Sequence, residues 1–338
     1  MLAFVRNRAT NALPLLLGLF FKISGTSSRV IKMLGNAGVC VSGRTVERLK
    51  VRISEDAIHL AVELIKSGHL FFTIFDNINI FLRKLQQRVT NQNAMIHATN
   101  SAIIAINGVE GNAEDLAAKH ALRGKRVNAT FEDILPTNKD DVHMALAFKA
   151  LIADMIVWYS PKAKQWKGYK EMLDGVSIMM PQDRPLKVEK TDTWPFGVFD
   201  VNEGSKKGIV KVLVAIQHRS TLSIKQWSSK VRVIVGDWLT SNNLRAARHD
   251  RSDDVDEMER LGYPEENSAV WHNALQASHC LMRTHYGHAV EDPTSLAAHK
   301  GLLHRAWDVS KPNYAAAKAL ICHSLIVQLL HCVMYVLF

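Results

Sequence analysis

Apolar residues recur at helical spacing through the first 68 positions. The pattern predicts helices over about 12–23, from Ser27 or Ser28 to the Gly35–Gly38 stretch, from Ser42 and Gly43 to about Ile53, and from Ser54 and Glu55 to Lys66. The serines are good N-caps, Pro14 is tolerated in a first turn, and Gly68 closes the series. The period then shortens. Leu70–Phe75 and Val231–Gly236 are runs of β-branched and aromatic residues, each followed by an aspartate, and read as strands ending on Asp76 and Asp237. Met95–Ile106 reads as a strand or strand pair, Arg83–Thr90 as a further strand with basic side chains on its open face, and Phe196–Val201 as a short strand. Residues 107–195 mix charged helices (113–122, 140–158, 168–179) with breaks at Pro136, Pro161, Pro181 and Pro185, and read as a mostly helical insertion. Further helices are expected over Lys207–His218, from Asn242 to His249, over 270–286 and over 313–335. The fold class is α/β: a helical region over 1–68, then a mixed sheet core built from 69–106 and 196–338, interrupted by the insertion.

Composition places the chain among globular proteins: 47% of its 338 residues are hydrophobic and 22% charged. A net charge of +10 favours an anionic partner, with DNA ahead of a membrane surface. Four cysteines without close pairing require no disulfide framework and point to the nucleus or cytoplasm. Two apolar segments bear on that placement. The block Ala12–Phe21, preceded by Arg6 and Arg8, imitates a signal peptide but also suits a buried helix. Residues 319–338 lack Asp, Glu, Lys and Arg and approach the length of a membrane span. Ser324, Gln328 and His331 make a polar stripe there, which suits a half-buried core helix better than a tail anchor.

The candidate chemistry is acidic. A hard divalent cation wants oxygen ligands, so two aspartates brought together from distant strands could hold Mg²⁺ or Mn²⁺ beside a phosphodiester. Asp76 and Asp237 are the candidates, and Asp200 and Glu203 are possible third ligands. The acidic stretch Asp253–Glu259 reads instead as a solvated helix face. The plain alternative for each aspartate is a turn cap after its strand. Arg44, Arg48 and Arg52 recur every four residues opposite Val46, Leu49 and Ile53, and with the preceding helix they resemble a helix-turn-helix. With Lys84 and Arg88 they form the candidate nucleic-acid surface; the alternative is a solvated basic face. His272 and His279 lie two turns apart, but their spacing matches no finger pattern and favours core histidines over zinc. No phosphate-binding Gly-x-x-x-x-Gly-Lys loop or serine nucleophile elbow is present, so no small-molecule cofactor is expected.

The segments FTIFDNINIFLRKLQQRVTNQN, FDVNEGSKKG, VGDWLTSNNLRAAR, SAVWHNALQASHCLMRTH and SLAAHKGLLHR occur in one order along almost the whole chain. Together they resemble an uncharacterised family of transposon-derived proteins abundant in mushroom-forming fungi, similar to transposases with an RNase H-like fold. The resemblance implies an RNase H-like sheet, an ancestral metal-dependent DNA strand-transfer or nuclease activity, and Asp76 and Asp237 as its first two acids. It also implies that the chain is a truncated member, whose third acid would come from a C-terminal helix. A catalytically inactive DNA-binding remnant is the alternative, and oligomeric state is left open.

Overall fold

The computed structural model describes residues 12–84, 92–107, 114–181, 190–310 and 313–337, with 336 and 337 described by backbone alone. The chain divides into two compact units, Met1–His120 with Lys190–Asn267, and Ala121–Glu189 with Ser268–Phe338. The segment expected as an insertion is thus shared between them.

In the first unit, α1 (Ala12–Ile23), α2 (Ser28–Asn36) and α3 (Gly43–Lys66) precede β1 (Phe71–Leu82) and β2 (Ala94–Ala105). Ser27 and Ser42 cap α2 and α3 as expected. The break expected at Ser54 is absent. No glycine or proline interrupts α3, and its buried residues Val46, Ala61, Val62 and Ile65 span both predicted halves. Ile53, expected on the face opposite the arginines, is 48% exposed.

The unit continues with β3 (Thr193–Phe199), and α4 (Leu116–Lys125) begins just before the unit boundary. With β4 (Arg232–Gly236) and β5 (Pro264–Ser268), the strands form one mixed sheet of order β3-β2-β1-β4-β5. β1 pairs antiparallel with β2 along its whole length, Phe71 with Ala105 through Leu82 with Ala94. β2 pairs antiparallel with β3, and β1 pairs parallel with β4 from Phe72–Val233 to Ile74–Val235. Met95–Ile106 is therefore one strand, not two. Arg83 and Lys84 lie beyond the end of β1, and residues 85–91, the rest of the strand expected there, fall outside the described residues.

Alternation sets the core. Phe71, Thr73 and Phe75 are buried, with Ile103 and Ile234 from the neighbouring strands. Ile209, Val212, Leu213 and Ile216 of α7 (Lys206–Ser220) join the same cluster, as do Ala61, Val62 and Ile65 of α3. After α8 (Ile224–Ser228), the Arg232 guanidinium lies over the rings of Phe71 and Trp227 and pairs with Glu114 at 2.9 Å. Beyond Asp76, β1 pairs among the described residues with β2 alone, and Ile80, Phe81, Met95 and Ile96 are exposed on this two-stranded stretch.

The second unit is helical: α5 (Asn138–Tyr159), α6 (Tyr169–Met179), α10 (Val270–His285), α11 (Leu296–Leu302) and α12 (Tyr314–Leu337). Its buried cluster is small, with Met282, Leu296, Ala317 and Leu320 at its centre. Residues 131–159 and Tyr314–Tyr335 are long and apolar enough to cross a membrane, by length and composition. Ser324 meets His299 Nδ1 at 2.8 Å, and Gln328 Nε2 donates to the Thr294 carbonyl at 3.0 Å, so part of the polar stripe of α12 is occupied by protein. His331 is exposed.

Candidate functional site

The first acid does not end its strand. Asp76 sits midway along β1, paired with Asn100 of β2, because β2 supplies ladder partners as far as Leu82. The parallel register with β4 then becomes informative. Phe72 faces Val233 and Ile74 faces Val235; the same offset, carried on by two residues, sets Asp76 beside Asp237. In-register residues of parallel neighbours project to one face from backbones about 4.8 Å apart.

Asp237 has extended backbone that continues β4, and it is also the N-cap of α9 (Trp238–Asp250), accepting the Thr240 N–H at 2.6 Å. The helix expected from Asn242 thus starts directly from the strand. The cap reading of Asp237 is realised, through its Oδ1. Asp76 is exposed, and its Oδ1 accepts the Asn77 backbone N–H at 2.8 Å.

Glu203 completes the group. It lies in the loop from β3 to α7 and is only 3% exposed. Burial, then the charge of Asp76, then that of Asp237 push its carboxyl up to about 8; Thr240 and the Asn77 backbone N–H pull weakly the other way. Its Oε2 is buried without a hydrogen-bond partner, as is the neighbouring Asn77 Oδ1. The loop is firmly tied. The Thr99 hydroxyl donates to the Val201 carbonyl at 2.7 Å, Gly204 N–H to Asn202 Oδ1 at 2.9 Å, and Ser205 caps α7 by accepting the Gly208 N–H at 3.1 Å. Gly208 is required here: a Cβ would lie 1.9 Å from the Asn202 carbonyl oxygen.

Three acids from a strand, a loop and a strand–helix junction therefore share one electrostatic environment. They do not close on a point as they stand. Among the described residues no three His, Cys, Asp or Glu side chains are spaced to hold a metal ion. Asp76 and Asp237 each turn one oxygen to nearby backbone. Asp200 is exposed past the end of β3 and is not among the charges acting on Glu203. In the stretch 253–259, Glu257 pairs with His120 and Arg260, and Asp254 with Arg251.

Arg44, Arg48 and Arg52 are all exposed on α3 and make no ion pair among the described residues, while Glu47 between them binds Lys22 and Lys50. Lys84 is half-buried, its backbone N–H donating to Asn93 Oδ1, and Arg88 lies outside the described residues. Among the described residues, His272 Nδ1 and His279 Nε2 on α10 are buried without a hydrogen-bond partner and belong to no ion-binding group.

Fold and site together define a mixed α/β protein with an acidic cluster at the edge shared by β1 and β4. The chain belongs to a family of unknown function (DUF6589), which it matches over residues 124–337, a span containing Glu203 and Asp237 but not Asp76. No curated protein and no solved structure matches it.

Proposed function

We propose that this is a transposon-derived protein with an RNase H-like core, ancestrally a divalent-metal-dependent enzyme that cleaves and joins DNA strands. The observation that carries the reading is that Asp76 and Asp237 lie near enough to act by charge on the buried Glu203, one oxygen of which is without a hydrogen-bond partner. The donor set is all carboxylate oxygen, which suits Mg²⁺ or Mn²⁺ over softer ions. Those three residues would hold the ion, which supplies charge stabilisation at a phosphodiester when bound. Strand order β3-β2-β1-β4-β5, with an antiparallel first three and a parallel β1–β4 pair, supports the RNase H-like assignment. The basic charge and the exposed Arg44, Arg48 and Arg52, without ion pairs among the described residues, supply the DNA-facing surface, in nucleus or cytoplasm. The hydrogen-bonded polar residues of α12 favour a protein-packed helix over a membrane anchor.

The test is cleavage of a labelled duplex with Mn²⁺, abolished in Asp76→Ala. A second reading, a DNA-binding remnant without catalysis, is favoured by the acids' failure to close on one point. It predicts binding without cleavage. In both readings, replacing Arg44, Arg48 and Arg52 with alanine lowers the slope of log affinity against log salt by about 3, roughly one for each phosphate left without its arginine. An unchanged slope removes this helix from the DNA surface.

A further inference from the structure

Trp238 follows Asp237 directly and opens α9. It is 63% exposed, more than any other tryptophan among the described residues, whereas Trp227 is sealed in the core. Among the described residues its ring makes no aromatic or cation–π pairing, in contrast to Trp271, which packs on His272 and Tyr314. Asn242, one turn along the same helix, is also exposed. A flat, exposed ring with no aromatic or cation–π partner among the described residues thus stands on the residue next to an acid of the cluster. Helix α9 needs none of it: its buried contacts come from Thr240, Ser241, Leu244 and Ala247.

We infer that Trp238 is a stacking platform for an unpaired nucleobase next to the phosphodiester at the acid cluster, so that the substrate strand is single or locally opened there. The inference rests on the nucleic-acid reading above and names its substrate form. Base faces inside a duplex are covered by their neighbours, so away from the duplex ends a ring stacks on a base only where it is unpaired or extruded. Stacking tolerates any base, because each has a π-face, and the exposed Asn242 amide adds hydrogen-bonding capacity one turn away.

The experiment measures binding of a short labelled single strand and of the matching duplex to the full chain at low salt with Mg²⁺. Trp238→Ala is expected to weaken single-strand binding about tenfold, Trp238→Phe to restore most of it, and an abasic site in the strand to reproduce the loss in wild type. Unchanged thermal midpoints for both variants show that folding is not at issue. Equal affinity of Trp238→Ala and wild type for the single strand overturns the inference, as does an equal loss on duplex and single strand. These outcomes leave Mn²⁺-dependent cleavage and its Asp76 dependence standing. Wild type that binds neither strand nor duplex overturns the nucleic-acid reading as well.

Discussion

Two glutamates of the sheet-bearing unit are largely removed from water, and they have opposite surroundings. Glu266 on β5 meets Arg245 at 2.9 Å and Arg248 at 2.7 Å. Burial pushes its carboxyl up, but the Arg248 hydrogen bond and charge, with Arg245, win and hold it at about 2. Glu203 meets Asp76 and Asp237 instead, and burial and like charge add up, to about 8. A glutamate that only builds the fold is given its counter-charge by the fold. One that is buried among acids needs a positive charge from elsewhere, a proton or a cation. That difference separates a structural ion pair from a candidate binding site by the charges within reach.

The comparison is broken or kept most decisively by activity. Glu203→Gln is expected to lower Mn²⁺-dependent cleavage on the order of a thousandfold, since a lost ion removes several kcal/mol of charge stabilisation. Glu266→Gln should leave the rate per folded molecule within about twofold, because its partners are structural arginines. Comparable losses in both variants, measured on protein of equal folded fraction, would mean that the two environments do not distinguish roles.

Stability against pH comes next, with opposite signs. The raised Glu203 gives the folded state more protons than the unfolded one between its ordinary value near 4.5 and about 8. Its contribution is therefore complete at low pH, falls as pH rises through that window and levels off above it. The lowered Glu266 contributes above about 4.5 and loses that contribution as pH falls through about 2. In urea titrations without divalent ions, Glu203→Gln should flatten the neutral-to-alkaline decline and exceed wild type by on the order of a few kcal/mol near pH 9. Glu266→Gln should cost about 2 kcal/mol near neutral pH, as for lost charged hydrogen bonds, with the deficit shrinking in acid. Parallel pH curves for wild type and Glu203→Gln would show that the three acids are not coupled.

Much of this is legible in the sequence, and the gaps have physical causes. Helix boundaries marked by Ser27, Ser42 and Gly68 follow from capping chemistry, and both aspartates stand out at the ends of apolar runs. The extension of β1 past Asp76 is hidden because Asn77 and Asn79 are poor strand formers, and only cross-strand pairing with Thr99 and His97 holds them extended. Strand β5 reads Pro-Glu-Glu-Asn-Ser and has no apolar alternation at all. Glu203 stands in a polar loop string, and its burial depends on Gly208 letting the loop fold back, a contact distant from any local pattern. A shared helix face alone is no zinc signal, and the sequence already favours core histidines over zinc at His272 and His279. His272 and His279 lie seven residues apart, a rise of about 10 Å, too far for one zinc ion at bonds of about 2 Å.

The smallest expected effect separates the two roles of Asp237. Its cap to the Thr240 N–H is a structural duty that asparagine performs about as well, whereas alanine at such a position costs about 1 kcal/mol. Asp237→Asn should thus unfold within about 0.5 kcal/mol of wild type, with Asp237→Ala visibly less stable. The charge, however, is gone in both. If the acid serves only as a cap, Mg²⁺ should raise the thermal midpoint of Asp237→Asn as much as that of wild type. If it belongs with Asp76 and Glu203 to an ion site, the Mg²⁺-dependent rise should vanish in Asp237→Asn despite its intact stability, because binding to the folded state alone is what produces that rise.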